Sequence, residues 1–116
     1  MKSKDLGPFQ WESTCSRKDD DMIVKIFIQS KSDPAKEKEF KELLRELRTK
    51  AMQAEGFISG ETMQSVDDPS VHLTIGTWKS ITNWNNWLNS PERKAIQDKF
   101  SKVLIEPVKM TLYHYE

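Results

Sequence analysis

The sequence predicts an α+β fold in which one antiparallel sheet carries its helices on a single face. Three observations predict it. Hydrophobic periodicity alternates between the two-residue repeat of strands and the 3.6-residue repeat of helices, in the order strand, helix, strand, strand, helix, strand. Helical starts are signalled by capping residues at Ser32-Asp33-Pro34, Ser80 and Ser90-Pro91, since serine and aspartate cap and proline suits the first helical position. Between the two middle strands, Asp67-Asp68-Pro69-Ser70 reads as the turn of an antiparallel hairpin. The order βαββαβ is the ferredoxin-like pattern.

The first strand spans residues 22–29, where Met22, Val24, Ile26 and Ile28 form an apolar face and Ile23, Lys25, Phe27 and Gln29 a mixed one. A helix from about Pro34 to Ala54 follows, with Phe40, Leu43, Leu44, Leu47, Ala51 and Ala54 along one side and charges of alternating sign elsewhere. Gly56 suits a left-handed cap behind it. Residues 57–66 form the second strand, in which Gly60 suggests a bulge or a close backbone approach. The third strand, 71–78, alternates Val71, Leu73, Ile75 and Thr77 with His72, Thr74, Gly76 and Trp78. Ser80 then opens a short helix bearing Trp84, Trp87 and Leu88 at i, i+3 and i+4. Ser90-Pro91 restarts it, with Ala95, Ile96 and Phe100 inward to about Ser101. The last strand covers 103–115, and Pro107 delays its ladder to about Val108.

Composition narrows the function classes. The 116 residues suit one domain at 22–116, preceded by an N-terminal extension at 1–21 whose apolar anchors are Leu6, Phe9 and Trp11. Eighteen basic and 18 acidic residues cancel, so no overall field favours nucleic acid or an anionic membrane. No apolar run reaches membrane-spanning length, and the first residues lack the apolar core of a signal peptide. Cys15 is the only cysteine, which excludes an intrachain disulfide and favours a cytoplasmic setting. Asp67 and Asp68 have no third ligand at useful spacing, so no metal site is expected.

With helices on one face only, the other face of the sheet needs cover. Ile23, Phe27, Trp78, Tyr113 and Tyr115 are assigned to it, and the expected cover is a second copy of the chain, sheet against sheet. By the same parity His72 lies away from the helices, whereas His114 lies on their side with Met110 and Leu112. Trp84 and Trp87 carry two readings, core filler or the wall of a small-molecule pocket.

Glu55-Gly56-Phe57, the hairpin ending in Thr77-Trp78-Lys79-Ser80, and the helix Asn85-Asn86-Trp87-Leu88-Asn89-Ser90 together resemble the antibiotic biosynthesis monooxygenase family, over about residues 22–115. The resemblance implies a dimeric α+β barrel. It also implies one of several activities, since the family includes cofactor-independent quinol-type oxygenases, heme-degrading monooxygenases and members of unassigned activity. In the heme-degrading branch a histidine ten residues after the matching tryptophan ligates iron; here that position holds Gln97, a poor iron ligand, and the first strand lacks the branch's asparagine.

The expected function is therefore a cofactor-independent monooxygenase acting on a small aromatic or quinol substrate. A deprotonated phenol or quinol reacts with dioxygen itself, so the site must bind it, favour the anion and exclude water. Trp84, Trp87, Phe40 and Asn83 are the expected substrate contacts, and His114 the candidate acid–base group. The alternative is a non-catalytic dimer that binds a small ligand or assembles with a partner.

Overall fold

The structure, a computed structural model, describes residues 22–115; the N-terminal extension with Phe9, Trp11 and Cys15 lies outside the described residues. The elements are β1 (Val24–Lys31), α1 (Glu37–Met52), β2 (Phe57–Gln64), β3 (Val71–Trp78), α2 (Ile81–Leu88), α3 (Pro91–Phe100) and β4 (Lys109–His114). They form one antiparallel sheet in the order β2-β3-β1-β4, with the ferredoxin-like connectivity that the sequence predicts. Among the described residues no helix is long and apolar enough to cross a membrane.

Local chemistry sets the boundaries. Asp33 accepts a hydrogen bond from the Ala35 amide, and a single 3₁₀ turn at Pro34–Lys36 precedes α1. Ser80 and Ser90 cap α2 and α3 through their hydroxyls, accepting from the amides of Asn83 and Arg93. After α1 the chain turns at Gly56, whose φ of 88° lies in the region that glycine alone enters freely. The Asn83 side chain occupies the space where a Cβ on Gly56 would stand. β4 begins only at Lys109. Before it, Val103 is buried and Leu104 makes one isolated bridge to Ser32, so the segment ahead of Pro107 packs without entering the ladder.

Two apolar clusters pack between sheet and helices. One gathers Val24, Ile26, Ala51, Trp78, Trp84 and Trp87; the other, between α1 and α3, gathers Phe40, Ile96, Phe100 and Val103. Ala95, expected inward, is exposed.

The ladder corrects the assignment of faces on β3. Val24 and Ile26 point at the helices, and they pair with Trp78 and Gly76. Residues directly opposite in a ladder share a face, so His72, Thr74, Gly76 and Trp78 stand on the helix side. Trp78 is 2% exposed and belongs to the core, not to the outer face, and His72 lies under α1 rather than away from it. The physical reason is that both faces of this sheet are apolar. Val71, Leu73 and Ile75 point outward, so an apolar run on β3 does not identify the helix side. On that outer face they join Ile23, Phe27, Met63 and Tyr113, with Phe27 and Tyr113 edge to face at 5.3 Å. The irregularity in β2 falls between Phe57 and Ser59, ahead of Gly60, which pairs with Gly76.

Candidate functional site

A cavity of about 250 Å³ lies between α1 and the sheet, closed at one end by α2 and the start of α3. Its walls follow from the register. β1 supplies Ile26 and Ile28, α1 supplies Leu44, Leu47 and Ala51, and α2 supplies Trp84 and Trp87. Gly60 and Gly76 face one another across the β2–β3 ladder and both line the cavity, with the Phe57 ring and the Trp78 indole each 3.4 Å from where a Cβ on them would stand. The same two strands place Thr62 opposite Thr74, their hydroxyls 3.0 Å apart.

Aromatic packing holds the tryptophan wall. Trp78 stacks on Trp87 with centroids 6.1 Å apart, meets Trp84 edge-on at 5.9 Å, and receives Phe57 edge-on at 5.4 Å. All three tryptophans of the 78–93 segment therefore form one cluster, with Trp78 behind the two that line the cavity.

Arg93 sits beside this wall. It is the third residue of α3, in step with the inward Ile96 and Phe100, and it lines the cavity with its Cζ 5.6 Å from the centre of the Trp84 ring. Only 8% of it is exposed, and burial lowers the pKa of its guanidinium. Arg45 and Arg48, both exposed, bring two more guanidiniums to the mouth from α1. Glu61 also borders the cavity, but its pairing with Ile75 turns its side chain to the outer face.

Of the residues expected from sequence, Trp84 and Trp87 line the cavity and Phe40, Asn83 and His114 do not. Phe40 is 1% exposed and serves the second cluster, 5.7 Å from Phe100 and 4.3 Å from the His72 ring. Asn83 turns to its own helix cap, where its Oδ1 accepts from the Ser80 hydroxyl at 2.8 Å. His114 has the expected parity, opposite Val24, yet it is exposed and its Nδ1 lies 3.1 Å from the Tyr115 carbonyl. It stands on edge strand β4, where the helix-side Leu112 is also open at 39%. Position on the helix side of a sheet does not bring helical cover with it.

His72, in contrast, is buried at 3% exposure, with Nε2 3.0 Å from the Ser32 hydroxyl. Burial lowers its pKa. Arg93, Thr62 and Thr74 carry no sequence motif. Arg93 had one usable signal, a basic residue three positions before Ile96 and seven before Phe100, hence on the inward side of its helix.

Among the described residues no group of three or more histidine, cysteine, aspartate and glutamate side chains is arranged to hold a metal. Asp68 closes the hairpin turn, accepting from the Ser70 hydroxyl at 2.7 Å and the Ser70 amide at 3.0 Å, which holds its carboxyl below the usual range. Among the described residues the cavity wall contains no histidine, cysteine, methionine or tyrosine, and Gln97 is not on it. That donor set does not fit an axially ligated heme.

A sequence model for antibiotic biosynthesis monooxygenases matches residues 23–99. No curated protein sequence matches the chain. Solved structures match over most of their own length. A conserved protein from Methanosarcina mazei superposes with a TM-score of 0.78 at 19% identity, covering 84% of this chain and 97% of that one. A proposed antibiotic biosynthesis monooxygenase from Nitrosomonas europaea gives 0.75 at 18%, covering 80% and 89%. A Mycobacterium tuberculosis protein gives 0.74 at 17%, covering 81% and 95%. At these identities the likeness concerns the fold.

Proposed function

Because the chain belongs to the antibiotic biosynthesis monooxygenase family, we propose that it is a cofactor-independent monooxygenase whose substrate, a small phenol or quinol, reacts in the cavity beside Trp84 and Trp87. The observation that carries this reading is the cavity itself: about 250 Å³, aromatic and aliphatic on its walls, with a few convergent polar groups. A planar ring gains most of its binding there from apolar contact. The hydroxyls of Thr62 and Thr74 and the Arg93 guanidinium are the groups that orient it.

The reaction balances without further reagents. A phenol with a free para carbon and one dioxygen give a para-quinone and one water, and a hydroquinone with a free ring carbon and one dioxygen give a hydroxyquinone and one water: in each, carbon gains one oxygen atom, and the second leaves with two hydrogens of the substrate. Four electrons from the substrate reduce the dioxygen. The protein's part is to hold the ring, favour its anion and keep bulk water away. In this reading Trp84 and Trp87 touch the ring, Phe40 belongs to the cluster packed behind Leu44 and Leu47, Asn83 stays in its helix cap, and His114, outside the cavity, takes no part.

Oxygen uptake with a panel of hydroquinones and naphthols tests the reading, with Trp87→Phe and His114→Ala as variants. Substrate-dependent uptake that Trp87→Phe slows and His114→Ala leaves alone is expected; no uptake across the panel refutes it. The second reading, a ligand-binding protein without turnover, is favoured by one observation: the charged side chains that line the cavity from the helix side are all guanidiniums, which are poor proton acceptors. Ligand-induced stabilisation without oxygen uptake is its signature.

The outer face of the sheet supports a homodimer. Tyr113 is 59% exposed, Met63 44% and Ile23 41%, and with Phe27, Leu73 and Ile75 they make a contiguous apolar surface that a second copy covers. The single cysteine, Cys15, supports a cytoplasmic setting.

A further inference from the structure

The guanidinium of Arg93 is buried and unpaired. Its backbone amide bonds to the Ser90 hydroxyl, and its side chain approaches the Trp84 ring, but no hydrogen bond or ion pair joins its guanidinium to any described residue. A guanidinium carries five N–H donors and a fixed positive charge, and leaving these buried without an acceptor is costly. Sequences keep such a group mainly where function uses it. Among the described residues nothing of opposite sign faces it across the cavity. Arg45 and Arg48 add positive charge at the mouth, and the one carboxylate on the border, Glu61, belongs to the outer face.

We propose that the cavity is a site for an aromatic oxyanion, its ring against Trp84 and Trp87 and its charged oxygen on the guanidinium of Arg93. The chemistry recognised is a negatively charged oxygen on a planar ring. Two sources supply it: a permanent carboxylate, which the planar fork of the guanidinium takes with two hydrogen bonds, or a phenolate formed by ionisation in the site. Arg93 is thus a binding residue for the anion, and Arg45 and Arg48 favour its entry. The proposal rests on the reading of this cavity as a small-aromatic site and does not require turnover.

The test is binding without oxygen, on the full chain. One arm compares 2-naphthoate with 2-naphthamide, nearly equal in shape and different in charge, by calorimetry or tryptophan fluorescence. A charge-assisted pair with Arg93 favours the acid by about tenfold or more. Arg93→Met erases the preference and Arg93→Lys keeps part of it. The other arm titrates 2-naphthol free and bound, by absorbance: with Arg93 present its ionisation moves to lower pH on binding, and in Arg93→Met it does not. Either Arg93-dependent result upholds the proposal and identifies the source of the anion. Equal affinity for acid and amide together with an unshifted naphthol overturns it, as does the absence of saturable binding. The wild-type comparison stands even if a variant fails to fold. Oxygen uptake separates this proposal from the monooxygenase reading. An anion that binds but is never oxidised removes that reading alone, whereas oxidation of quinols by a protein that shows neither Arg93-dependent binding result removes this one alone.

Discussion

Replacing Arg93 with methionine should stabilise the ligand-free protein. The wild-type side chain is 8% exposed and lacks a hydrogen-bond partner among the described residues. Taking an ion out of water costs several kcal/mol even after relaxation, and a cation–π contact with Trp84 at 5.6 Å returns about 0.5–2 kcal/mol of it. Methionine keeps most of the apolar stem, bends to fill the vacated space and carries no charge. The expected gain is about 1–3 kcal/mol, which in a domain of this size raises the melting temperature by about 5–15 °C. Urea denaturation and thermal melts followed by circular dichroism measure it. A variant that keeps its native spectrum but melts below wild type would show that the guanidinium is already satisfied, and the reasoning about its vacancy would fail. Stability and anion binding should thus move in opposite directions at one residue, as they do where a site is held ready at the expense of the fold.

Three further outcomes are expected. Gly56→Ala should cost about 1–3 kcal/mol by urea denaturation, since a φ of 88° disfavours any side chain and Asn83 fills the space of the new methyl; adding Asn83→Ala should recover only the steric part. His72 should impose a pH dependence on stability. Burial, the largest cause, lowers its pKa below the ordinary 6.5, with Glu37 and Lys41 opposing one another, so the unfolded chain binds the proton at a higher pH than the folded one does. Its contribution is complete above about pH 6.5 and is lost as pH falls below that value toward the folded pKa, with a slope of at most about 1.4 kcal/mol per pH unit; melts of His72→Gln between pH 7.5 and 5.5 should be flatter than wild type, and an equal slope would refute the assignment. Sedimentation should give twice the 13.6 kDa chain mass for the wild type and the single mass for Leu73→Lys, whose ammonium falls in the centre of the outer face; a wild-type monomer would refute the sheet-to-sheet pairing.

Sequence pattern carried the architecture because caps and periods are local. Ser80, Ser90 and Gly56 act where they stand, and the structure uses each as the sequence suggests. The faces of β3 were not legible, because the question is settled by which residues stand opposite Val24 and Ile26, a property of the ladder rather than of the strand. With apolar residues required on both sides, counting them on one strand loses its power to discriminate. The candidate site was legible by half for a related reason. Indoles announce themselves, so Trp84 and Trp87 stood out and do line the cavity, while the features that make the space between them and the sheet are missing side chains at Gly60 and Gly76 and an unremarkable arginine. For His114 parity gave the direction, opposite Val24, but not what lies in that direction, and the residue stands exposed outside the cavity.

The facing glycines have a consequence for the shape of whatever binds. Peptide groups without side chains present a flat surface, and a flat ring laid on them keeps every carbon at dispersion distance, whereas a puckered saturated ring touches at only a few points. In the proposed aromatic site, the strip at Gly60 and Gly76 would therefore gauge planarity and rank naphthalene-like bodies above decalin-like ones of equal hydrophobicity. A single methyl would raise that strip and at once press on the aromatic wall, against the Phe57 ring from Gly60 or the Trp78 indole from Gly76, each 3.4 Å away.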